Sequence, residues 1–357
     1  MEHKAIKGRG AVSSPDGRFE PTRREAFFDG WDTEPEPPPF ATTVLPEKAK
    51  SIITRNDSPD ISFEQSINPY RGCEHGCIYC YARPAHAYVN LSPGLDFETK
   101  LFYKAGAAQL LERELRNPNY KVKLIHIGGN TDPYQPIERK LHVTRDLLEV
   151  LLRFRHPTSI ITKGASLMLR DLDLFAEMAK LKLISVAVSV TSLDDSLKRT
   201  LEPRTSSPSA RLKLVRQMTD AGVPVTVMAA PLIPFVNDAE LEAILGAARE
   251  AGAVGAGYVM LRLPHEVKTL FREWLDVHLP LRADHVMSLV EQMHGGKLYD
   301  SKWGTRQSGT GEYASMIAKR FELACRKLGL NQRRERVPTA TLFRVPPAAG
   351  DQMALDL

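Results

Sequence analysis

The sequence predicts an α/β fold: a partial (β/α)6 barrel of TIM type with an extended N-terminal arm and a helical C-terminal extension. Three observations carry this. Short β-rich runs alternate with helical stretches from about residue 60 to residue 265, and such alternation builds parallel sheets with right-handed crossovers. Six strand units can be counted, too many for a two-unit nucleotide fold and too few for an eight-fold barrel. The stretch "RGCEHGCIYCYARP" (71–84), with three of the four cysteines, directly follows the first expected strand. Parallel α/β folds place their chemistry at that C-terminal strand end.

Residues 1–58 are rich in Pro, Gly and charge ("WDTEPEPPPFATT") and read as an extended arm, with polyproline-II character around Pro35 to Pro39. The barrel core is expected over 59–280. "ISFEQSI" (61–67) is its first strand, and "VKLIHIGG" (122–129) is a buried strand ending in glycines. "TRDLLEVLLRFR" (144–155) spaces its apolar residues as a helix does. "SIITKG" (159–164) is a strand, followed by the helix "LMLRDLDLFAEMAKLK". "LISVAVSVTS" (183–192) is a strand, and "SSPSARLKLVRQMTDAG" a helix with a serine-rich start and a glycine stop. "VPVTVMAAPLIP" (223–234), the helix "DAELEAILGAAREAG" and the strand "AVGAGYVMLRLP" (253–264) complete the set. Beyond that the alternation stops. "HEVKTLFREWLDVHL", "ADHVMSLVEQMH" and "ASMIAKRFELACRKLG" read as helices, with a long loop over 295–313 and a basic tail. Residues 281–357 are the C-terminal extension.

The 357 residues are 43% hydrophobic and 25% charged, an ordinary globular composition. No apolar run reaches membrane-spanning length, so no membrane partner is expected. The polar N-terminus does not resemble a secretory signal. Cysteines this clustered in so long a chain do not form a disulfide framework, and the expected compartment is the reducing cytoplasm. The net charge of +5 is compatible with an anionic partner without demanding one.

Cys73, Cys77 and Cys80 are spaced C-x3-C-x2-C, with Gly72 and Gly76 to relieve the backbone. Spacing alone leaves three readings. Structural zinc wants four ligands, and His75 or His86 would have to complete it. A redox dithiol uses Cys77 and Cys80 and leaves Cys73 idle. An iron–sulfur cube normally takes four thiolates, so three leave one iron open.

Here "CEHGCIYC", with Tyr79 before the last cysteine, resembles the signature of the radical S-adenosylmethionine superfamily. The resemblance runs over about residues 60–265 and is closest to the branch containing spore photoproduct lyase and uncharacterised bacterial relatives. It implies a [4Fe-4S] cluster on Cys73, Cys77 and Cys80, whose open iron chelates S-adenosylmethionine. It also implies a one-electron reductant of flavodoxin or ferredoxin type, and a 5′-deoxyadenosyl radical that takes hydrogen from substrate. Gly128, Gly129, Asn130, Thr131 and Asp132 occupy the place of the family's GGE-like stretch, which holds the methionine amino group. Lys163 and Ser189 stand where the lyase has a lysine and a serine near the cofactor. "LEPRTSSPSARL" (201–212) resembles an E-P-x-T-S segment, making Arg204 a candidate carboxylate partner oriented by Glu202. Ala230 is implied on the adenine side. Tyr79 and Tyr81 match two tyrosines flanking the last cluster cysteine, candidates for an electron and proton relay. The lyase's hydrogen-returning cysteine is replaced by Gly129 or a neighbour, and Cys325 reads as core packing, so the lyase's last step is not implied.

Two substrates are compatible with this chemistry. A nucleic acid is suggested by the family branch and by Lys302, Arg306, Arg320, Arg326, Lys327, Arg333, Arg334 and Arg336. A peptide or small molecule under the 295–313 loop would meet Tyr299, Trp303, Arg306 and Tyr313. A non-catalytic zinc-binding adaptor is the alternative of a different class.

Overall fold

The structure, a computed structural model, describes residues 4–19, 41–332 and 338–347. The stretch around Pro35 to Pro39, and Arg333, Arg334 and Arg336, lie outside the described residues. The strands are β1 (Thr43–Glu47), β2 (Ile53–Arg55), β3 (Gln65–Ile67), β4 (Tyr70–Arg71), β5 (Lys100–Lys104), β6 (Ile125–Ile127), β7 (Thr158–Thr162), β8 (Ile184–Ser189), β9 (Val225–Leu232) and β10 (Gly255–Met260). One sheet runs β10-β9-β8-β7-β6-β3-β2. Its six strands from β3 to β10 pair in parallel, and β2 closes one edge antiparallel to β3. These six are the strands read from the sequence, and the sheet is the partial barrel. β1, β5 and β4 form a separate small sheet.

Period-two alternation divides the large sheet into two faces. Ile125 and Ile127, Ile160, Val186 and Val188, and Val225 and Val227 are fully or almost fully buried. His126, Ser159, Ser185 and Thr226 between them are partly open. The apolar face lies under the helices. Helix Val143–Arg153 buries Leu147, Leu148 and Leu151 completely, each contributing about 1.5–3 kcal/mol relative to exposure. The other face is concave and carries a polar row, because the register sets Ser66 beside His126, His126 beside Ser159, and Ser159 beside Ser185. His126 Nδ1 is 2.9 Å from Ser159 Oγ, and its ring stacks on Phe63 at 4.2 Å.

Three local features depart from the sequence pattern. The expected helix "LMLRDLDLFAEMAKLK" is two, Ala165–Arg170 and Leu172–Lys180. Asp171 at the break is fully buried, and its carboxylate accepts from Tyr134 Oη (3.0 Å), Arg145 (3.0 Å) and Arg170 Nε (2.7 Å). The connection from β5 to β6 uses helix Ala107–Leu115, which the pattern did not single out. Residues 43–47 and 53–55, read as part of an arm, pair into the two sheets as β1 and β2.

The sheet ends at β10 on one side and β2 on the other, and residues 295–313 bridge that gap. The Met260 amide donates to Gln307 O (2.8 Å), and Asp60, in the β2–β3 connection, accepts from Gly304 N (2.6 Å) and pairs with Arg306. The last helix, Gly311–Leu328, packs on helix Leu241–Glu250.

Candidate active site at the cysteine loop

The cysteine loop leaves β4 and turns through Gly72 (φ 78°) and Gly76 (φ 66°), a left-handed backbone that favours glycine. Side chains from later strand ends dock it. Thr131 Oγ1 donates to Gly72 O (2.7 Å), Gln135 Nε2 donates to the same oxygen (3.3 Å), and Gln135 Oε1 accepts from Glu74 N (2.8 Å). The segment after β8 adds two backbone bonds, Ile78 N to Leu201 O (3.1 Å) and Arg204 N to His75 O (3.2 Å). Cys73 and Cys77 are buried and Cys80 is partly open. Burial pushes the Cys77 thiol up to about 12, and pushes Cys73 and Cys80 upward as well.

Arg83, fully buried, uses all five of its donor hydrogens. Nε donates to Cys77 O (3.0 Å), one terminal nitrogen to Pro93 O and Gly94 O (3.1 and 3.0 Å), and the other to Gly76 O (3.2 Å) and Glu98 Oε1 (2.5 Å). Neither Arg83 nor Gln135 was singled out by motif. Their signal was only position, one three residues after the last clustered cysteine and the other in the strand-end turn.

The residues read from the sequence are placed as follows. Gly128 has φ 99°, and a Cβ there would lie 2.9 Å from Ile161 O; a Cβ on Gly129 would meet His126 Cδ2 at 3.7 Å, an ordinary contact. Asn130 is exposed, its amide bonded to Asn68 Oδ1 (2.7 Å). Asp132 spends its carboxylate on the protein itself. Oδ1 accepts from Tyr134 N and Thr162 Oγ1, Oδ2 accepts from Lys163 N, and His75 Nδ1 lies 3.2 Å from Oδ2. Burial would raise this carboxyl, but His75 and these donors hold it at about 2. Lys163 Nζ lies 5.8 Å from the Tyr79 ring centroid. Ser189 is buried, its carbonyl accepting from Arg211 (3.0 Å), and Ala230 O accepts from Thr191 Oγ1 (3.0 Å).

Glu202 does not orient Arg204, contrary to the sequence expectation. Arg204 pairs with Glu74 at 3.0 Å. Glu202 takes the Arg211 guanidinium, the Tyr79 hydroxyl and Thr191 Oγ1 (2.6 Å). The E-P-x-T-S segment turns too tightly for residues 202 and 204 to share one direction, and Arg211, a helical turn later, fills the buried site. The two tyrosines also differ. Tyr79 is buried, whereas Tyr81 is 49% exposed, donates to Gly129 O, and lies under Arg262, whose Cζ is 4.8 Å from the ring centroid. Arg262 follows β10 across the barrel, and its buried Nε has no hydrogen-bond partner. No sequence motif marked it.

The donor set fits a cube with one open iron. It is three thiols on one loop, and the fourth cysteine, Cys325, lies in the core on helix Gly311–Leu328. Structural zinc takes four ligands, so one beyond the three thiols would be needed. Of the histidines once candidates for a fourth ligand, His86 Nε2 is 2.9 Å from Lys100 O and His75 faces Asp132.

Residues 67–248 match the family model of the Radical SAM superfamily. The chain belongs to this superfamily. Enzymes of this superfamily use a [4Fe-4S] cluster and S-adenosylmethionine. An uncharacterized protein of Mycobacterium tuberculosis is 39% identical over 217 residues, 60% of this chain and 64% of that relative. One of Methanocaldococcus jannaschii is 29% identical over 197 residues, 55% of this chain and 70% of that relative. The chain thus matches less than two thirds of the mycobacterial relative's length. Among solved structures, spore photoproduct lyase with bound AdoMet and dinucleoside spore photoproduct has the same fold, with a TM-score of 0.58 at 15% identity over 80% of each chain. Radical SAM enzymes need a reductant. No described helix is long and apolar enough to cross a membrane.

Proposed function

We propose that Cys73, Cys77 and Cys80 hold the cluster through three of its irons, and that S-adenosylmethionine is held by the strand-end residues around them. When bound, these cofactors supply one-electron cleavage of the sulfonium and a carbon-centred radical that takes hydrogen from substrate. The observation that supports the assignment is the docking of the three-thiol loop by Thr131, Gln135, Leu201 and Arg204, which places it at the ends of the parallel strands. Gly129, which has no side chain, and the exposed Asn130 line the approach for a ligand, and Lys163 offers a cation to a carboxylate. Gly128, Thr131, Asp132 and Glu202 act through others: Gly128 shapes the turn, Thr131 and Asp132 position the loop and the Lys163 backbone, and Glu202 positions Tyr79. Ser189, Arg204 and Ala230 complete the wall. The reductant is of flavodoxin or ferredoxin type, and the compartment is the reducing cytoplasm.

Anaerobic reconstitution tests this. Wild type is expected to carry about four irons and to release 5′-deoxyadenosine on reduction. Alanine at any one of the three cysteines is expected to abolish both. A colourless wild-type protein with one zinc defeats the proposal.

We further propose that substrate enters the concave face, where Tyr81 and Arg262 meet at the mouth and the His126–Ser159 pair lies deeper. An anionic organic molecule suits the unpartnered Arg262 Nε. A nucleic-acid component is the second reading, favoured by the fold shared with the photoproduct lyase. The described cations give that reading limited support, since Arg306, Arg320 and Arg326 are each paired with a carboxylate, leaving Lys302 and Lys327 exposed. Polynucleotide affinity that falls steeply with salt supports nucleic acid. Binding that ignores salt, or no binding, removes it.

A further inference from the structure

The stretch "GRGA" (8–11) near the N-terminus has no role in the chemistry above, yet it lies against the cysteine loop. Gly10 N donates to Glu98 Oε2 (3.1 Å) and Ala11 N to Glu98 Oε1 (2.9 Å), while Arg9 donates to Glu98 O (3.1 Å). Glu98 is fully buried, and its Oε1 also accepts from Arg83, the residue that grips Gly76 O and Cys77 O. One carboxylate therefore joins the N-terminal segment to the loop through a single guanidinium. The contact is close: a Cβ on Gly10 would stand 1.9 Å from Gly76 O. Ala11 is wholly buried. Further along, Ser13 Oγ donates to Glu273 Oε2 (2.5 Å) and Ser92 Oγ donates to Pro15 O (2.6 Å).

We propose that residues 9–15 are a permanent wall of the cluster site and that Glu98 is the positioning residue binding wall to loop. This rests on the assignment of the cluster to Cys73, Cys77 and Cys80. The physical consequence concerns water. An added electron makes a cluster more negative, and water stabilises the more charged form. Solvent exposure is one of the levers on cluster potential. A backbone strap sealed onto Gly76 keeps that side dry, which holds the potential low and keeps oxygen out. A Cβ at residue 10 displaces the strap without touching a thiol.

The test uses full-length, anaerobically reconstituted protein. Wild-type iron content is read first, and its failure defeats the cluster assignment itself. Given a loaded wild type, Gly10→Val is expected to keep its iron under anaerobic conditions, to shift the midpoint potential upward, and to bleach several-fold faster in air. Ser13→Ala combined with Ser92→Ala loosens the strap from its far end and is expected to move both readouts the same way, less strongly. It serves as the test if Gly10→Val does not fold. Hydrogen exchange should find the Gly10 and Ala11 amides strongly protected. Unchanged potential and bleaching in a folded variant, or fast exchange at these two amides, overturns the proposal while leaving the cluster assignment standing.

Discussion

The Tyr79 hydroxyl donates to the Glu202 carboxylate inside the protein, so the residue before the last clustered cysteine is committed to its own fold. Tyr81, two residues on, is half-exposed and faces Arg262. Tyr79→Phe is therefore expected to cost about 1.5–3 kcal/mol, the range for a hydrogen bond to a buried charge, while still releasing 5′-deoxyadenosine. Tyr81→Phe is expected to leave stability nearly unchanged and to alter turnover of substrate. Urea unfolding and product analysis separate the two. A stable but inactive Tyr79→Phe enzyme would instead make Tyr79 a relay.

Glu202 and Arg211 form a pair in which both side chains are 1% exposed. Burial would raise the carboxyl, but the Arg211 guanidinium, with Lys163, Thr191 and Tyr79, holds it at about 2. Glu202→Gln leaves Arg211 charged and uncompensated, a change worth about 3–5 kcal/mol. Adding Arg211→Met should recover much of that loss, because it removes the orphaned charge. Chemical denaturation of the three variants checks this, and a double variant no better than the single one contradicts it.

The fold was legible because strand and helix periods alternate cleanly from 61 to 264, and all six parallel strands appear where their apolar runs lie. The cysteine spacing was legible for a similar reason: it is local. What escaped was every relationship carried by long-range packing. The resemblance to an E-P-x-T-S segment implies that Glu202 orients Arg204, yet a turn and a helix start bring Arg211 to it instead. Glu98, Arg83 and Gly10 lie in three segments with no shared motif, and only the folded loop joins them. Of the basic residues of the last helix, Arg320 and Arg326 stand beside Glu242 and Glu322, and Lys327 is exposed.

His156 offers a pH test remote from the cysteines. It is fully buried, with Nδ1 2.9 Å from Pro157 O and Nε2 2.7 Å from Tyr120 Oη. Burial lowers its pKa from 6.5 to about 4. The unfolded chain therefore binds the proton first, and stability falls as pH drops from about 6.5 toward 4. The slope from this group approaches about 1.4 kcal/mol per pH unit in that window. Unfolding measured at pH 7, 6, 5 and 4 should show the decline, and His156→Gln should lessen its slope by this group's share, while His86 and His126, also lowered by burial to about 4, keep theirs. An equal slope in the variant assigns the acid sensitivity to other groups.

The 295–313 bridge can be opened from its far anchor. Asp60 is 7% exposed and holds both Gly304 N and Arg306, so Asp60→Ala removes two contacts at once, while the Met260–Gln307 bond at β10 remains. The loss should be modest, about 1–3 kcal/mol, because the loop contributes few apolar contacts of its own. Trypsin should then cut faster at Lys297, Lys302 and Arg306. A closed gap also matters to the chemistry, since a site that excludes water protects a reactive intermediate from side reactions. Asp60→Ala is expected to raise 5′-deoxyadenosine released per substrate converted, a ratio that a purely structural loop would leave at its wild-type value. Faster cleavage by trypsin with an unchanged ratio would assign the bridge to stability alone.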